Sequence, residues 1–531
     1  MKLRIADRVS LYVEGEQRIE GDSWQDVTVK QTLAGEALSV TLTADTTPVR
    51  FLRLRWSFRP GDAPDAPVRI LGDCWERGYG NLEWRGIVPG RCMPWACAAS
   101  TGSDMDLGAA GRQTHCYGVR VRPGALCFWQ YDDAGVTLWL DVRCGGAGVR
   151  LGGRTLRAAE VVMGEYADMT AFDAVRAFYR SLCDDAILPP RPVYGFNNWY
   201  YAYGKSSHED IMRDARWLSE LCRGLDNRPF MVIDDGWQPV PVDWPWDRGN
   251  ERFPDMARLA EEIKAKDVRP GIWVRYLANM QQQMPGLPEG ASNMRDHRFL
   301  DPSHPFVRDH IQETTRRIVD WGYQLIKHDY STYDMFGDWG VHRPTTLTDD
   351  GWSFFDRTRT SAEIVVDFYR AIREAAGSDT LILGCNVIGH LTAGLAHLNR
   401  TGDDTSGREW DRTRVMGVNT LAFHMMHDGA FYGADADCAP FTHMLAQGQA
   451  LKWLDILSKS GTALFVSPEP GALDAEGVEA LREALARNSV QADVLKPRDW
   501  METVCPRVYD LNGERVTYDW YEAQGDDSVR P

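Results

Sequence analysis

The sequence predicts an α/β protein in which a (β/α)8 TIM barrel follows an N-terminal antiparallel β-sandwich and precedes a short C-terminal β cap. Two observations predict this fold class. Strand and helix patterns alternate along residues 186–489, whereas the residues before them show mainly strand patterns. Acidic residues also follow several apolar runs directly, at the strand ends where a barrel gathers its functional side chains.

Residues 1–185 are predicted to form the β-sandwich. Residues 38–43 and 52–58 alternate apolar with polar side chains, and residues 136–142 are rich in strand formers. A helical pattern over residues 171–182 and the proline-rich residues 188–192 then mark the end of this domain.

Residues 186–489 are predicted to form the barrel. The strand candidates are residues 193–197, 230–233, 271–275, 325–328, 381–384, 398–400, 430–433 and 463–466. The helix candidates are residues 208–222, 256–266, 307–321, 362–376, 412–426, 444–460 and 475–486. This number of units favours a closed barrel over an open sheet. Residues 490–531 are predicted to be a short β segment that ends in a polar tail.

Charge and composition narrow the classes of partner. The formal net charge of −17 argues against nucleic acid and against an anionic membrane surface, since both are polyanions. A neutral ligand is compatible with this charge. The 20 Trp favour a carbohydrate, because indole rings stack on the C–H faces of sugars as well as packing in cores.

The compartment and the cofactors follow from what the sequence lacks. Residues 1–8 contain no apolar leader segment and no run of 18 apolar residues occurs, so we expect a cytoplasmic protein without a membrane span. The 11 Cys are scattered without a Cys-x-x-Cys pair, which predicts buried free thiols. We expect no metal and no other cofactor.

Lys327 and Asp329 stand two residues apart at the end of a predicted strand. Side chains alternate along a strand, so both point to the same side, which in a barrel is the interior. The pair would deliver a cation and a carboxylate to one pocket. A structural ion pair at a strand end would give the same pattern.

Two further strand ends carry pairs of acidic residues. Asp234 and Asp235 precede a glycine, and two adjacent carboxylates persist where water, ligand hydroxyls or a cation solvates both. An exposed turn before Gly236 would give the same pattern. Arg400 and Asp404 leave another predicted strand. Either Asp403 or Asp404 also suits the N-cap of the helix that follows.

These residue types match one kind of chemistry. Glycoside hydrolysis requires two carboxylates across a pocket, one to attack the sugar or activate water and one to protonate the leaving oxygen. Further Asp, Lys and Arg side chains hold the hydroxyls, and Trp covers the apolar face of the ring. All of these types stand at the predicted strand ends.

An ordered set of motifs resembles glycoside hydrolase family 36 and its relative family 27, both dominated by α-galactosidases. The motifs are Gly195-Phe-Asn-Asn-Trp-Tyr200, Ile233-Asp-Asp-Gly-Trp237, Lys327-His-Asp329, Gly384-Cys385, Arg400-Thr-Gly-Asp-Asp-Thr405 and Ala434-Asp-Ala-Asp-Cys438. Their order, their approximate spacing and the succession of sandwich and barrel match the family, so the resemblance covers most of the chain.

The resemblance implies a role for each matching residue. It makes Asp329 the nucleophile and Asp404 the general acid/base. It assigns substrate binding to Asp234 and Asp235 at the hydroxyls on carbons 4 and 6, Lys327 at nearby hydroxyls, Arg400 near the carbon-2 hydroxyl, Trp199 and Trp273 at the ring, and Cys385 and Asp437 within their motifs. Residues 82–95 of the sandwich would close over the pocket.

Four departures from the family's pattern bear on specificity. They are His328, where an aromatic residue or Ile is frequent, Arg275, where an acidic or small residue is more usual, residues 434–438, where Asn-Asp-Pro-Asp-Cys is common, and Ser467-Pro468, where relatives commonly have a Ser and an Asp. None of them replaces Asp329 or Asp404. They therefore concern the preferred sugar or aglycone.

The resemblance implies a retaining exo-α-glycosidase, most specifically an α-galactosidase, that removes terminal α-linked galactose by double displacement. An α-N-acetylgalactosaminidase, another α-glycosidase and a transglycosylase share this chemistry and stay open. A metal-dependent hydrolase would use His424 and His427 beside Asp428, but the His-Glu-x-x-His signature is missing. A non-catalytic sugar-binding protein would lack one of the two catalytic carboxylates. The oligomeric state is left open.

Overall fold

The structure is a computed structural model of the chain. It describes residues 1–15, 18–64, 66–106, 110–239, 246–280, 282, 284, 286–343, 345–490, 494–511 and 513–521. The polar tail predicted at the C-terminus lies outside the described residues.

The N-terminal part forms antiparallel strands. They are β1 (Arg8–Val13), β2 (Ile19–Glu20), β3 (Ser23–Trp24), β4 (Val27–Ala34), β5 (Ala37–Thr43), β6 (Val49–Ser57), β7 (Arg69–Gly72), β8 (Trp84–Arg85), β9 (Met93–Pro94), β10 (Ala96–Ser100), β11 (Gln113–Val119), β12 (Leu126–Asp132), β13 (Gly135–Asp141) and β14 (Thr155–Ala167). Within the described residues one sheet has the order β2-β1-β6-β13-β12-β9 and another has the order β3-β4-β5-β14-β11-β10-β7-β8. Apolar residues alternate with partly exposed ones, and Leu52, Leu54 and Trp56 of β6 are completely buried. The prediction of a β-rich N-terminal part is confirmed.

The middle of the chain forms parallel strands. They are β15 (Tyr194–Asn197), β16 (Phe230–Ile233), β17 (Arg269–Val274), β18 (Leu325–His328), β19 (Leu381–Gly384), β20 (Leu398–Arg400), β21 (Gly433–Asp435), β22 (Ala439–Phe441) and β23 (Leu464–Pro468). In the described part of the chain their order is β21-β20-β19-β18-β17-β16-β15-β23-β22. The end strands β21 and β22 are separated only by residues 436–438, and the Ala463 N–H before β23 donates to the Ala434 carbonyl in β21 at 2.9 Å. The two ends of the sheet therefore meet in a TIM-like barrel, whose seventh strand is the interrupted pair β21 and β22.

The seventh strand is where the sequence prediction was wrong. Residues 430–433 were expected to be the strand, but pairing with β20 begins only at Gly433. The apolar Phe431 instead packs against Tyr179, with ring centroids 5.5 Å apart, and against His427. The apolar character of Phe431 therefore reflects a contact with residues 1–185, called the N-terminal half below. The observed strand β21 was not predicted because it ends on an acidic residue, Asp435, and the interruption before β22 contains another, Asp437.

Helices surround the barrel and fill its loops. They are α1 (Ala171–Ser181), α2 (Trp199–Ala202), α3 (His208–Leu221), α4 (Met256–Lys264), α5 (Pro305–Asp320), α6 (Ser331–Phe336), α7 (Ser361–Ala376), α8 (Gly389–Thr392), α9 (Trp410–Arg412), α10 (Asn419–His424), α11 (Gln447–Lys459) and α12 (Ala475–Asn488), with a 3-10 turn at Gly340–His342. Capping boxes at Ser207 and Thr360 begin α3 and α7. The helix predicted over residues 412–426 is divided, because a π-helical stretch, Thr413–Val418, separates α9 from α10.

A small antiparallel sheet follows the barrel, with strands β24 (Lys496–Pro497), β25 (Val508–Leu511) and β26 (Glu514–Thr517). It is tied to the N-terminal half, because the indole N–H of Trp500 donates to the buried carboxylate of Asp104 at 2.9 Å. The division into residues 1–185, 186–489 and 490–531 stays a prediction.

Two expectations from composition can be compared with the structure. The Cys side chains of the described residues are free and mostly buried, with Cys74, Cys92 and Cys505 partly exposed. Among the helices of the described residues, none combines the length and the apolar character needed to cross a lipid bilayer.

Residues 73–79 of the N-terminal half touch the loop after β20 at the mouth of the barrel. The Gly78 N–H donates to the Thr401 carbonyl at 2.8 Å, and the Asp403 N–H donates to the Gly78 carbonyl at 2.9 Å. A Cβ on Gly78 would lie 2.7 Å from the methyl group of Thr420, so only glycine permits this approach. This contact lies upstream of the predicted residues 82–95, of which Leu82 hydrogen-bonds to the Asn419 side chain in α10.

Candidate active site

The predicted acidic residues lie at the carboxyl ends of alternate parallel strands. Asp234 follows β16 directly, Asp329 follows β18 directly, and Asp404 lies in the loop after β20. A cavity at this end of the barrel is lined by Asn197, Val232, Leu325, Lys327, Leu383, Arg400, Asp435, Asp437, Cys438 and Phe465. Its wall combines apolar side chains with a few charged ones, and Asp234, Asp329 and Asp404 are not among the residues that line it.

Lys327 forms a buried ion pair with Asp234. The Lys327 ammonium donates to Asp234 Oδ2 at 2.7 Å, and the Asn197 amide donates to the same oxygen at 2.6 Å. Burial lowers the pKa of Lys327, but the Asp234 carboxylate raises it more, so the pKa lies well above its usual range. The sequence had placed Lys327 beside Asp329, its neighbour on one face of β18. The structure gives it a direct partner from another strand.

Asp235 lies beside this pair and is half-buried. Its carboxylate accepts a hydrogen bond of 2.5 Å from the Gln238 side-chain amide. Burial and the neighbouring Asp234 charge outweigh that bond and raise the pKa of Asp235. The two adjacent carboxylates therefore have different settings, one paired with a cation and one held by a neutral amide.

Asp329 is held by two N–H donors. The Trp273 indole donates to Oδ2 at 3.1 Å, and the Tyr330 backbone N–H donates to Oδ1 at 2.7 Å. Each carboxylate oxygen has two lone pairs, so each keeps one for another partner. Trp273 is only 2% exposed, so its N–H group, and not its ring face, is directed at the site.

The backbone at Tyr330 is strained, with φ of +63°. A left-handed conformation at a residue of this size costs about 1–3 kcal/mol. The Arg275 guanidinium lies 4.0 Å from the centre of the Tyr330 ring and donates to Asp334 Oδ1 at 2.6 Å. Burial outweighs the Arg275 charge and raises the pKa of Asp334 to about 6. Arg275 thus supports the residue whose N–H holds Asp329.

Arg400 joins three residues of the predicted set. Its Nη2 lies 3.1 Å from Asp404 Oδ1 and 2.9 Å from Asp437 Oδ2, and its Nη1 lies 3.8 Å from the Cys385 sulfur. Asp437 also accepts from the Thr405 N–H at 2.8 Å and from the Tyr200 hydroxyl. Burial disfavours the Arg400 charge, but Asp437 and its other neighbours raise the pKa of Arg400 well above its usual range. A fully buried cation is thus held by carboxylates.

Asp404 is partly exposed, with 40% of its side chain accessible. Arg77, from the segment over the barrel mouth, lies 4.0 Å from Asp404 and 2.9 Å from Asp403. Burial raises the pKa of Asp404, but the charges of Arg400, Arg77 and Lys327 hold it below its usual range. Neither Asp is a helix N-cap, because Glu409 occupies that position of α9, so the N-cap interpretation was wrong.

Trp199 begins α2 and is half-buried. Its ring centroid lies 5.5 Å from that of Tyr203, and both rings pack against the apolar cluster inside the barrel, which includes Cys385 and Cys438. Trp199 therefore offers an aromatic surface close to the cavity.

Two of the departures from the family's pattern lie behind the cavity. His328 is 1% exposed and packs among Tyr276, Phe368 and Tyr369, and burial lowers its pKa to about 3, so it is neutral. Arg275 is committed to Asp334. Both residues therefore pack behind the residues that form the site, and neither lines the cavity.

Sequence reasoning missed several residues that the structure brings to the site. Asn197 and Gln238 stand within or beside the quoted motifs, and their position at a strand end was a usable signal. Arg77 had no such signal. It stands more than 300 residues before Asp404, among β strands of the N-terminal half, and no local pattern distinguishes it from the other arginines of that half.

No model of a protein family matches the sequence. The structure, however, matches the α-galactosidase of Thermus thermophilus in complex with p-nitrophenyl α-D-galactopyranoside, with a TM-score of 0.61 and 18% identity over 92% of this chain and 99% of that one. The chain has the fold of the α-galactosidases. A family 36 α-galactosidase of Geobacillus stearothermophilus in complex with 1-deoxygalactonojirimycin has a TM-score of 0.57 and 14% identity, over 92% of this chain and 77% of that one. The galactosidase domain of an α-galactosidase–sucrose kinase has a TM-score of 0.56 and 16% identity, over 90% of this chain and 73% of that one.

These matches confirm the resemblance to family 36 at the level of the fold. The shared region includes both the β-rich N-terminal part and the barrel, because it covers about nine-tenths of this chain in each comparison. Identities of 14–18% establish a common architecture. The roles of individual residues follow from the contacts within the site and not from these identities.

Proposed function

We propose that the protein is a retaining exo-α-glycosidase, most specifically an α-galactosidase that hydrolyses terminal α-linked galactose. The observation that carries the proposal is the setting of Asp329 and Asp404. Asp329 is half-buried and held by neutral N–H donors, whereas Asp404 is accessible and surrounded by cations. Two carboxylates at one barrel mouth supply the two groups that glycoside hydrolysis requires. The cations around Asp404 lower its pKa, which is the reverse of the raised pKa usual for a general acid at rest.

The setting of Asp329 suits a nucleophile. The Trp273 and Tyr330 N–H groups fix both oxygens and leave one lone pair of each free to attack the anomeric carbon. A bond forms between an Asp329 oxygen and that carbon while the bond to the leaving oxygen breaks. Asp404 protonates the leaving oxygen, then removes a proton from water, and that water releases the sugar with net retention.

The ion pairs around the cavity suit the binding of sugar hydroxyls. The Asp234–Lys327 pair and the Arg400–Asp437 pair each combine acceptors with donors, and hydroxyls can bond to both kinds. Asp235 extends the first pair, Trp199 offers a ring surface, and Cys385 lies beside Arg400. Solved structures that share the fold hold p-nitrophenyl galactoside and stachyose, which supports galactose as the sugar.

A panel of chromogenic substrates tests the proposal. We expect the protein to release the chromophore from an aryl α-galactoside at least about tenfold faster than from an aryl α-glucoside or α-N-acetylgalactosaminide, a difference of about 1.4 kcal/mol in the transition state. Faster turnover of another glycoside would overturn galactose and keep the mechanism. No turnover of any of them would withdraw galactose as the proposed sugar, and would leave an enzyme that requires its natural aglycone or a non-catalytic sugar-binding protein. Added sugar acceptors, with analysis of products, distinguish hydrolysis from transfer.

The lowered pKa of Asp404 gives a prediction about pH. A general acid works in its protonated form, so on the basic side of the profile kcat/KM falls as the protonated fraction of Asp404 falls. Arg77→Met removes a cation 4.0 Å from Asp404 and should raise the pKa of that carboxyl. The measured quantity is kcat/KM of Arg77→Met divided by kcat/KM of the wild type at the same pH. This ratio is expected to rise by about fivefold from acid to alkaline pH, which is the effect of removing one charge at this distance in water.

The matched control is Arg85→Met, which removes an exposed arginine from the same half of the chain. Its ratio to wild type should stay constant across the pH range. A constant ratio for Arg77→Met as well would show that Arg77 does not act on the group that protonates the leaving oxygen.

A further inference from the structure

A cluster of metal-ligating side chains lies outside the candidate active site, where the N-terminal half meets the barrel. Asp73 and Cys74 follow β7, and His424 ends α10. One ligand atom from each of these three residues lies within 4.8 Å of the others. The Cys74 sulfur is 3.5 Å from His424 Nε2, and Asp73 Oδ1 is 4.0 Å from the same nitrogen.

These separations are close to those of a tetrahedral zinc site. With Zn–S of about 2.3 Å and Zn–N of about 2.0 Å, a tetrahedral ion holds its sulfur and nitrogen ligands about 3.5 Å apart. The corresponding separation of oxygen and nitrogen ligands is about 3.3 Å, so Asp73 Oδ1, now 4.0 Å from His424 Nε2, would need to approach that nitrogen by about 0.7 Å. A set of thiol, imidazole and carboxylate is typical for zinc and excludes magnesium and calcium, which take oxygen ligands.

The surroundings of the cluster resemble the outer shell of a metal site. The other Asp73 oxygen, Oδ2, accepts from the Tyr179 hydroxyl at 2.7 Å and lies 2.9 Å from His427 Nε2. Oδ1 accepts from the Cys74 backbone N–H at 2.8 Å and lies on the side of His424. Hydrogen bonds of this kind orient a ligating carboxylate. Only 5% of the Asp73 side chain and 3% of the His424 side chain are accessible, whereas Cys74 is partly exposed.

We propose that Asp73, Cys74 and His424 bind one zinc ion at the junction of the N-terminal half and the barrel. On binding, the ion replaces the proton of the Cys74 thiol, which leaves for solvent, and a zinc–thiolate bond forms. The two negative charges of Asp73 and the thiolate then balance the charge of the ion, while His424 binds as neutral imidazole. Water takes the remaining position.

The site has a mechanical consequence. Cys74 stands three residues before Arg77, whose guanidinium reaches Asp403 and Asp404. Zinc would join the start of this segment to α10, and so keep Arg77 over the barrel mouth. Binding of zinc does not depend on the proposed glycosidase activity, so the two proposals are tested by separate experiments.

Metal analysis of the whole protein tests the proposal. After dialysis against micromolar zinc, about one zinc per chain is expected, with a higher Tm than the chelator-treated protein. Cys74→Ser and His424→Gln are expected to weaken zinc binding at least about tenfold, since loss even of outer partners costs 10- to 100-fold. Cys92→Ser is the matched control, because Cys92 is another partly exposed free thiol of the same half. It should bind zinc as the wild type does.

Cobalt replaces zinc as a probe that requires no variant. Cobalt bound to the wild type is expected to show a thiolate-to-metal charge-transfer band, and Cys74→Ser should lack it. Less than about a tenth of an equivalent of zinc, or full binding by Cys74→Ser, would overturn the proposal. Absence of the cobalt band in the folded wild type would overturn it as well, and would leave the cluster as a hydrogen-bonded contact between the two halves.

Discussion

Asp329→Ala is expected to lower kcat for an aryl α-galactoside by about 10⁴-fold or more, with a much smaller change in KM. The variant lacks the oxygen that attacks the anomeric carbon, whereas Lys327, Asp234 and Arg400 still bind the sugar. Azide should restore part of the activity, because the space left by the carboxylate admits a small anion. Its nitrogen then forms a bond to the anomeric carbon as the aryl oxygen leaves. Kinetics and identification of the product check this prediction.

The anomeric configuration of the azide product identifies the missing group. A single displacement gives the β-galactosyl azide, the inverted configuration, only if azide replaces the nucleophile. Asp320→Ala serves as the control, since this exposed residue ends α5 far from the strand ends, and its kcat should be unchanged. An Asp329→Ala enzyme within tenfold of wild type would refute the assignment of the nucleophile.

Asp404→Asn is expected to lose activity in proportion to the need of the leaving group for a proton. For a galactoside with a sugar or alkyl aglycone, kcat/KM should fall by about 10²–10⁴-fold, the contribution typical of general acid catalysis. For a dinitrophenyl galactoside, whose leaving group departs as a stable anion, the first step should be nearly unaffected. Comparing kcat/KM for the two substrates in wild type and variant measures the difference.

Asp403→Asn is a matched control for this substitution. Asp403 is the adjacent residue and also pairs with Arg77, but its other partner is Arg412 on the outside of the loop, at 2.9 Å. We expect similar, small losses of kcat/KM for both leaving groups. Equal losses for the two leaving groups in Asp404→Asn would assign proton transfer to another residue and leave Asp404 a binding role.

Local patterns predicted the strand ends that carry these carboxylates. β16, β18 and β19 were placed within their observed bounds, because a short apolar run followed by polar residues has few other structures open to it in an α/β chain. Asp234 and Asp329 could therefore be assigned to one end of the barrel. The same rule gave the wrong position for the seventh strand. The residues that pair there include the acidic Asp435, and the nearby apolar Phe431 packs against Tyr179 instead of lying in the strand.

The sequence by itself determined the fold class and the positions of Asp234, Asp329 and Asp404 at the barrel mouth, because apolar periodicity and strand ends are properties of neighbouring residues. Only the tertiary structure decided which side chains contact one another. It paired Lys327 with Asp234, and it brought Arg77 from the N-terminal half to Asp404. Such pairs depend on distances between segments far apart in the chain, and these distances are settled when the halves pack. For this reason the charges that set the pKa of Asp404 could not be read from any local pattern.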